Sequence, residues 1–304
     1  MAQFGIVVEA QEGLTWERWR RVAHDAERLG FASLRVSDHL QSVTPVRSRE
    51  GLPAWSALHL AAEWTQRIEL APMVSPVTFY QPGVLLREAL AVDQLSDGRL
   101  LLGLGAGWNQ PEHERFEVPF GDWKYRFDRL EHAIKLMQRL SCELPGARPL
   151  PLLMGGQGAR RTLPLVARYA REWNGQFQLD ADAYRDKVAA LDAACAAIGR
   201  DPRSIRRSLQ TAFLIGRTQE ELRERAMQLK EVLGFALRVE SDRLEDIIAA
   251  AQNHFPAVGT PEEIAKRLRP FVDAGVELFM FEHFLHLDTE SLDLLATEVM
   301  PRLA

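Results

Sequence analysis

Short apolar segments alternate with longer amphipathic segments along the whole chain. The first apolar segment, FGIVVEA, predicts a buried strand, and TWERWRRVAHDAERLG after it predicts a helix with Trp16 and Trp19 on one face. Thr15 is suited to the N-cap of this helix and Gly30 to its C-terminal end. Later segments such as RLLLGLG and VELFMFE are apolar at both parities, which is typical of parallel strands covered on both faces.

The alternation repeats as eight strand–helix units. One irregular segment, about residues 218–257, is predicted to be a helical insertion. Eight such units in 304 residues indicate an α/β fold, a (β/α)8 TIM barrel with an insertion, and a doubly wound sheet is the alternative. Because no linker or low-complexity segment interrupts the chain, residues 1–304 are expected to form a single domain.

Composition narrows the classes of partner. The net charge is −5 and 46% of the residues are hydrophobic, so a large core is expected and nucleic acid is not expected as a partner. The two cysteines, Cys142 and Cys195, form no metal-binding or disulfide pattern. No apolar stretch approaches about 20 residues, and the N-terminus lacks a basic leader, so a cytoplasmic protein without a membrane span is expected.

Polar residues gather where the predicted strands end. Because the active sites of TIM barrels lie at the C-terminal ends of the strands, these residues are expected to meet at one rim. They are Glu9, Asp38, His39, Ser75, Asn109, Gln176, Glu282 and His283.

Three interpretations apply to the adjacent Asp38 and His39. Histidine has a pKa suited to general acid–base catalysis, so His39 is a candidate proton donor or acceptor, with Asp38 as a positioning group. A metal site would draw on Glu282, His283 and His286, but the first strand lacks the His-x-His pattern of metal-dependent barrel hydrolases, and no metal is expected. A helix cap beside a space-filling histidine is the third interpretation.

The segment MGGQGARR joins a predicted strand to a predicted helix. Gly155, Gly156 and Gly158 would let backbone N–H groups approach a phosphate at the helix N-terminus. Arg160 or Arg161 could add a charge-assisted contact. A plain tight turn is the alternative interpretation.

Two further segments carry unusual glycines and prolines. In GLGAGWN the sixth position of a dinucleotide-binding fingerprint is Trp108, so the alternate glycines indicate either close backbone approach or room for a planar ring. In APMVSPV, Pro72 and Pro76 interrupt the strand, which predicts a bulge or an unusual peptide bond near Met73.

Several segments resemble the bacterial luciferase-like family of flavin-type oxidoreductases, and in particular its branch that uses the deazaflavin coenzyme F420. The resemblance runs from about residue 3 to residue 283. It is carried by GFASLRVSDHL, VSPVTFYQPGVLLREALAVDQLSDGRLLLGLGAGWNQPEHERF, LLMGGQGARRTLPLVARYAREWN and VGTPEEIAKRLRPFVDAGVELFMFE. It implies a TIM-type barrel with an insertion, usually as a homodimer, with the tricyclic ring at the C-terminal mouth.

The resemblance also implies roles for individual residues. Asp38 and His39 would lie near the reactive edge of the ring, and a non-prolyl cis peptide in the third strand would support its back face. The implied catalytic residues are His39 and Asp38, and the implied cofactor-binding residues are Asp38, Met73, Ser75, Asn109, Gly155, Gly156 and Gln157.

Five positions depart from the family's pattern. Gln110 stands where many relatives have an acid after GWN. The sugar-phosphate dehydrogenases of the family have an acid where this chain has Ala106 and a tryptophan where it has Val43. Glucose-6-phosphate is therefore not expected as the substrate. AREWN replaces the usual ADGWN, so Glu172 is expected to alter the packing below the ring.

The predicted function is that of an oxidoreductase that transfers a hydride between F420 and a small organic substrate, with His39 as proton donor or acceptor. An FMN-dependent monooxygenase that uses reduced flavin and oxygen is the first alternative, and a non-catalytic flavin-binding protein is the second. The remaining candidates are Trp55, Phe79, Trp108 and Phe177 around an apolar substrate, and Arg47 and Arg49 for the anionic tail of F420.

Overall fold

The computed structural model describes residues 2–44 and 49–303. Within these ranges the chain forms ten strands, and each strand pair is parallel. The strands are β1 (Gln3–Val8), β2 (Ser33–Val36), β3 (Glu69–Pro72), β4 (Ser75–Pro76), β5 (Leu102–Gly105), β6 (Leu152–Gly155), β7 (Glu172–Gln176), β8 (Arg206–Ile215), β9 (Ala257–Gly259) and β10 (Leu278–Glu282).

The strands close into a barrel. Their order is β3-β2-β1-β10-β8-β7-β6-β5-β4, and β9 pairs with β8 off this path. Because β3 and β4 follow each other directly along the chain, they are two parts of one interrupted strand. β3 meets the start of the β5 strand through the Leu101 N–H, which donates to the Leu70 carbonyl at 2.8 Å. With β3 and β4 counted as one strand and β9 left out, eight strands surround one axis. The predicted (β/α)8 barrel is confirmed.

Helices cover the outside of the barrel. Thr15 Oγ1 accepts a hydrogen bond from the Arg18 N–H at 3.3 Å, and Gly30 adopts a φ of +81° just after the first helix, as the sequence predicts for its two ends. The α-helices of the described residues are α1 (Trp16–Arg28), α2 (Ala54–Trp64), α3 (Pro82–Leu95), α4 (Gln110–Arg115), α5 (Trp123–Glu143), α6 (Thr162–Tyr169), α7 (Ala181–Ala196), α8 (Gln219–Leu237), α9 (Leu244–Gln252), α10 (Pro261–Asp273), α11 (Thr289–Leu294) and α12 (Met300–Leu303).

Buried apolar side chains form two layers. Residues of one parity, such as Val8 and Phe281, pack against the helices. Because side chains alternate along a strand, Glu282 points to the same inner face as Met280. The apolar side chains that fill the barrel are Val7, Ala71, Met73, Leu101, Leu153, Leu278 and Met280.

A buried ion cluster lies inside the barrel, near the N-terminal ends of β3 and β7. Arg35 on β2 donates to the two carboxylate oxygens of Glu172 at 2.7 and 3.0 Å, and both side chains are fully buried. Arg206 donates to Glu172 at 2.7 Å, and Glu69 accepts from both arginines. Glu172 thereby joins β2, β7 and β8 across the barrel interior.

The segment between β8 and α10 carries α8, α9 and β9, where the sequence predicts a helical insertion. Its apolar side chains, among them Leu229, Ile247 and Phe255, form a buried cluster of their own. The assignment of the whole chain to a single domain stays a prediction. Among the residues that the structure describes, none of the helices has the length and apolar character needed to cross a bilayer.

Candidate active site

The C-terminal ends of the barrel strands form one rim, which is called the mouth below. Because the strands are parallel, the residues that follow them meet at this rim. The structure places Asp38 and His39 after β2, Ser75 at the start of β4, Asn109 after β5 and Gly155 at the end of β6. The predicted site residues therefore come together at one end of the barrel.

The third strand is interrupted where the sequence predicts it. The peptide bond between Met73 and Val74 is cis. A β-carbon on Gly103 of β5 would lie 2.0 Å from the carbonyl oxygen of Pro72, and one on Gly105 would lie 2.7 Å from the Val74 side chain. The alternate glycines of β5 therefore allow the close approach of the interrupted strand, which is one of the two interpretations that the sequence leaves open.

Asp38 is held in the mouth by hydroxyl donors. Ser75 Oγ donates to Asp38 Oδ2 at 2.5 Å, and Tyr80 Oη lies 2.9 Å from each Asp38 oxygen. Trp55 Nε1 donates in turn to Ser75 Oγ at 3.1 Å. Burial raises the pKa of Asp38 above its ordinary value, although the bonds from Ser75 and Tyr80 and the charge of His39 act in the opposite direction. The carboxyl group is therefore fixed in position and retains a proton more readily than an exposed aspartate.

His39 is paired with Glu112, a residue of α4. His39 Nδ1 lies 2.9 Å from Glu112 Oε2, and the Glu112 side chain is fully buried. Glu112 Oε1 accepts hydrogen bonds from the main-chain N–H groups of Leu40 and Gln41. Burial lowers the pKa of His39, but the hydrogen bond and the negative charge of Glu112 outweigh it and leave the pKa above its ordinary value. Glu112 therefore orients the imidazole and stabilises its protonated form.

Two of the four predicted aromatic residues present exposed rings near the mouth. Trp108 is 66% exposed and meets the His39 ring edge-on, with the ring centroids 5.7 Å apart. Phe177, just after β7, is 45% exposed. Trp55 is buried and Phe79 packs against neighbouring rings, so these two are part of the packing that supports the mouth.

The loop after β6 carries main-chain donors suited to an anion. Gly156 adopts a φ of +110°, a conformation that favours glycine. The N–H groups of Gln157 and Gly158 donate to no other group of the described residues. The Gln157 side chain is fixed by its Nε2, which donates to the Gln176 carbonyl at 2.7 Å. The loop also leads into α6, whose N-terminus favours negative charge.

The two candidate arginines of this loop differ in their contacts. Arg161 donates to Asp128 at 3.2 Å and is therefore already engaged. Arg160 is exposed and makes no ion pair within the described part of the chain. Arg160 is thus the better placed of the two to contact an anion.

A model of the family described as "Luciferase-like monooxygenase" matches residues 1–278. The chain belongs to this family. The resemblance drawn from the sequence is confirmed, and the match covers the barrel from β1 to the start of β10.

Curated relatives of this luciferase-like chain include F420-dependent dehydrogenases. The chain is 28% identical to the F420-dependent hydroxymycolic acid dehydrogenase of Mycobacterium tuberculosis, over 98% of this chain and 87% of the relative. It is 25% identical to the F420-dependent glucose-6-phosphate dehydrogenase of Amycolatopsis mediterranei, over 91% and 92% of the two chains.

Solved structures share the fold. An F420-dependent secondary alcohol dehydrogenase, solved in complex with an F420-acetone adduct, superposes with a TM-score of 0.81. The alignment covers 100% of this chain and 99% of that chain at 18% identity, so this likeness supports the luciferase-like barrel alone.

Acidic side chains occupy the sector of the mouth between β1 and β10. Glu9 accepts from Gln11 Nε2 at 2.6 Å, and Glu282 accepts from Gln210 Nε2 at 3.3 Å. Burial and the neighbouring Glu9 carboxyl raise the pKa of Glu282 well above its ordinary value. Glu282 therefore retains a proton more readily than an exposed glutamate, and both carboxyl groups are buried.

The residues considered for a metal site point in different directions. Glu282 faces the barrel interior, whereas the His283 ring stacks on Phe213 with centroids 5.7 Å apart. Burial lowers the pKa of His283 and of His286 to about 3. In residues 2–44 and 49–303, no group of three or more His, Cys, Asp or Glu side chains is arranged to hold a metal ion.

The loop after β2 is organised by Glu12. Its carboxylate accepts from Ser42 Oγ at 2.8 and 3.0 Å and from Arg49 Nη1 at 2.8 Å. Arg49 is therefore engaged in the loop itself, and its contact with a cofactor tail stays a prediction. Arg47 lies outside the described residues.

Glu112 and Tyr80 are functional candidates that sequence interpretation missed. Tyr80 lies in the loop after β4, and Pro111 marks the first turn of a helix after β5, so both positions lie in the segments that follow strand ends. Asn109, the predicted cofactor contact, precedes this helix. Its carbonyl lies 2.7 Å from His113 Nδ1, which anchors α4 beside the mouth.

Proposed function

We propose that this chain is an F420-dependent oxidoreductase that transfers a hydride between F420 and a small organic substrate. The observation that carries the proposal is the His39–Glu112 pair at the mouth, because it supplies a positioned proton donor or acceptor. The F420-dependent relatives, aligned over nearly their whole length, support the choice of cofactor.

The residues present fit a phosphorylated, planar cofactor. The free N–H groups of Gln157 and Gly158 suit a phosphate, and the interrupted third strand lies on the other side of β5 from their loop. When bound, F420 supplies or accepts the hydride, which is chemistry that no protein side chain offers. The residues proposed to hold it are Asp38, Met73, Ser75, Asn109, Gly155, Gly156 and Gln157.

Glu112 determines which nitrogen of His39 serves the substrate. Because a carboxylate accepts hydrogen bonds, His39 Nδ1 carries the hydrogen that points to Glu112. His39 Nε2 is then the atom that removes the hydroxyl proton of an alcohol during oxidation and returns it during reduction. Asp38, fixed by Ser75 and Tyr80, serves as a positioning group beside it.

The mouth favours an uncharged, partly apolar substrate. Trp108 offers an exposed ring next to His39. Glu9 and Glu282 supply carboxyl groups, and not cations, in the sector between β1 and β10. These features support an alcohol, ketone or imine over a sugar phosphate.

Cofactor titration tests the proposal. F420 and FMN are added separately to the protein while the quenching of cofactor fluorescence is followed. Tight binding of F420 without binding of FMN is the expected result. Tight binding of FMN without binding of F420 would contradict the proposal.

Replacing Gly156 by alanine is expected to weaken F420 binding about tenfold, equivalent to about 1.4 kcal/mol. The added β-carbon would disfavour the φ of +110° and would lie 3.3 Å from Thr162 Cγ2, so the loop would shift its N–H groups. Gly146→Ala is the matched control, because Gly146 also has positive φ (+72°) but lies in a surface turn with open space. Equal losses of F420 affinity in both variants would exclude a specific role for the loop.

Replacing Glu112 by glutamine is expected to move the pH dependence of the reaction to lower pH. The carboxylate keeps the pKa of His39 above its ordinary value, so in the wild type the imidazole stays protonated to higher pH. Without this charge, the apparent pKa of the histidine in the pH dependence of kcat is expected to fall. The value of kcat is expected to fall less than in a variant without the imidazole. An unshifted profile would show that Glu112 only supports the loop at residues 40 and 41.

An FMN-dependent monooxygenase is the main alternative, because the matching family model is that of monooxygenases. Rapid oxygen consumption with reduced FMN and an apolar substrate would favour it.

We also propose that the protein is a cytoplasmic homodimer, following the resemblance to the family. Light scattering after size-exclusion chromatography measures the mass that tests the oligomeric state.

A further inference from the structure

Arginines gather at the rim opposite the mouth. Five neighbouring strands of the barrel are each preceded by a loop that contributes one arginine. Together these arginines line a cleft of about 640 Å³, called the arginine cleft below. The five are Arg67 before β3, Arg99 before β5, Arg148 before β6, Arg171 before β7 and Arg200 before β8. The cleft lining contains one acidic residue, Glu69, in the described part of a chain whose net charge is −5.

Two of these arginines are rigid because they cap helices. Arg99 donates to the carbonyls of Ala62 and Thr65 at the end of α2, at 2.9 and 2.8 Å. Arg200 donates to the carbonyls of Ala167 and Ala170 at the end of α6, at 2.9 and 2.7 Å. Cations at helix C-termini stabilise the helix dipole, so these two have a structural function. Their bonds go to neutral groups, and their charges still face the cleft.

Arg67 and Arg171 have no such structural function. Both are exposed, and their guanidinium groups donate to no other group of the described residues. Arg148 differs from them, because Asp93 binds its guanidinium at 2.7 and 2.8 Å. Helix capping and ion pairing therefore leave two of the five arginines unexplained.

The nearby carboxylates are already bonded elsewhere. Glu69 accepts from Arg35 and Arg206, inside the barrel. Glu27 accepts from the main-chain N–H groups at residues 66–68; burial raises its pKa, but these bonds and the charge of Arg67 outweigh burial and leave the pKa below its ordinary value. Among the described residues, neither acid forms an ion pair with the guanidinium group of Arg67 or Arg171.

We propose that the arginine cleft binds a compact polyanion, a small molecule that carries phosphate groups or clustered carboxylates. Guanidinium groups form paired, charge-assisted hydrogen bonds with such oxygens, and convergent positive charge raises the local concentration of anions. The concave shape suits a small molecule better than a nucleic acid strand. The site is separate from the mouth, so the proposal does not depend on F420.

Calorimetric titration of the full chain with inorganic pyrophosphate and with citrate, at constant ionic strength, tests the proposal. The wild type is expected to bind at least one of the two, and the preferred probe distinguishes phosphate from carboxylate chemistry. Arg67→Gln with Arg171→Gln is expected to lose about tenfold in affinity for each arginine removed. Both side chains are exposed, so the variant is expected to keep its circular dichroism spectrum. Arg171→Gln alone replaces the double variant if the double variant does not fold.

The matched control is Arg203→Gln. Arg203 lies in the same segment before β8, is 87% exposed and pairs with Asp201 outside the cleft. Its affinity for the probes is expected to stay within about twofold of the wild type, because only long-range charge is lost. Absence of binding of both probes to the wild type would overturn the proposal, as would equal losses in the control and the cleft variants.

Discussion

Replacing His39 by alanine is expected to lower kcat for F420-linked oxidation of secondary alcohols by about 10²- to 10⁴-fold, the usual contribution of a general acid–base group. Nε2 of the imidazole is the atom proposed to take the hydroxyl proton, and no other described imidazole is paired with Glu112. F420 affinity is expected to stay unchanged, because the proposed phosphate donors lie in the loop after β6. The rate is measured from F420 absorbance over a panel of alcohols across pH, and the affinity from fluorescence quenching.

His132→Ala is the control for this experiment, because His132 is exposed on α5, away from the strand ends. It is expected to leave both kcat and F420 affinity unchanged. A His39→Ala variant that binds F420 and turns over alcohols at the wild-type rate would contradict the acid–base role. A wild type that binds F420 without turnover of any alcohol or ketone would support the flavin-binding alternative.

The barrel could be predicted because its elements leave periodic signals in the sequence. Strands buried on both faces appear as continuous apolar runs, and the outer helices as amphipathic segments. α4 (Gln110–Arg115) was missed because its sequence, QPEHER, carries no large apolar side chain and so has no helical periodicity. Burial of Glu112 and His113 holds it in place, and that burial exists only in the folded barrel. β9 (Ala257–Gly259) was missed because three residues are too few to show a pattern.

The candidate site was likewise predictable from the sequence only in part. Asp38 and His39 follow an apolar strand directly, so their position at the mouth can be read from the sequence. The partner of His39 lies 73 residues further along the chain, on the far side of the interrupted third strand. Only closure of the barrel brings the two together, and no local spacing encodes that contact. Tyr80, which bonds Asp38 across 42 residues, was missed for the same reason.

Glu172 shows how a departure from the family's pattern can be explained by the fold. A carboxylate at the start of β7 would be costly inside a barrel unless it were paired. Arg35 on β2 and Arg206 on β8 supply that pairing, and Ser208 donates a further hydrogen bond at 2.5 Å. Arg35 Nη1 also lies 3.5 Å from the sulfur of Met73, next to the cis peptide. The cluster therefore lies directly beneath the interrupted strand.

Replacing Glu172 by glutamine is expected to lower the free energy of unfolding by about 3 kcal/mol. Removal of one partner of a buried ion pair usually costs about 3–5 kcal/mol, because the other charge is left uncompensated. The lower end is expected here because Glu69 still accepts from Arg35 and Arg206. Urea denaturation at neutral pH measures the change as a lower midpoint at constant slope.

Glu298→Gln is the matched control, because Glu298 pairs with Arg217 on the surface, where the arginine side chain is 56% exposed. Its effect is expected to stay below about 1 kcal/mol.

The pH dependence of the stability difference supplies a second test. Burial raises the pKa of Glu172, but Arg35 and Arg206 outweigh it and hold the pKa below its ordinary value of 4.5. A carboxylate whose pKa is depressed in the folded state stabilises the fold at pH values above its ordinary pKa. This contribution is lost as the pH falls through the folded-state pKa. The difference between wild type and Glu172→Gln should therefore shrink in acid, whereas a difference that persists unchanged would mean that packing of the amide, and not the lost charge, destabilises the variant.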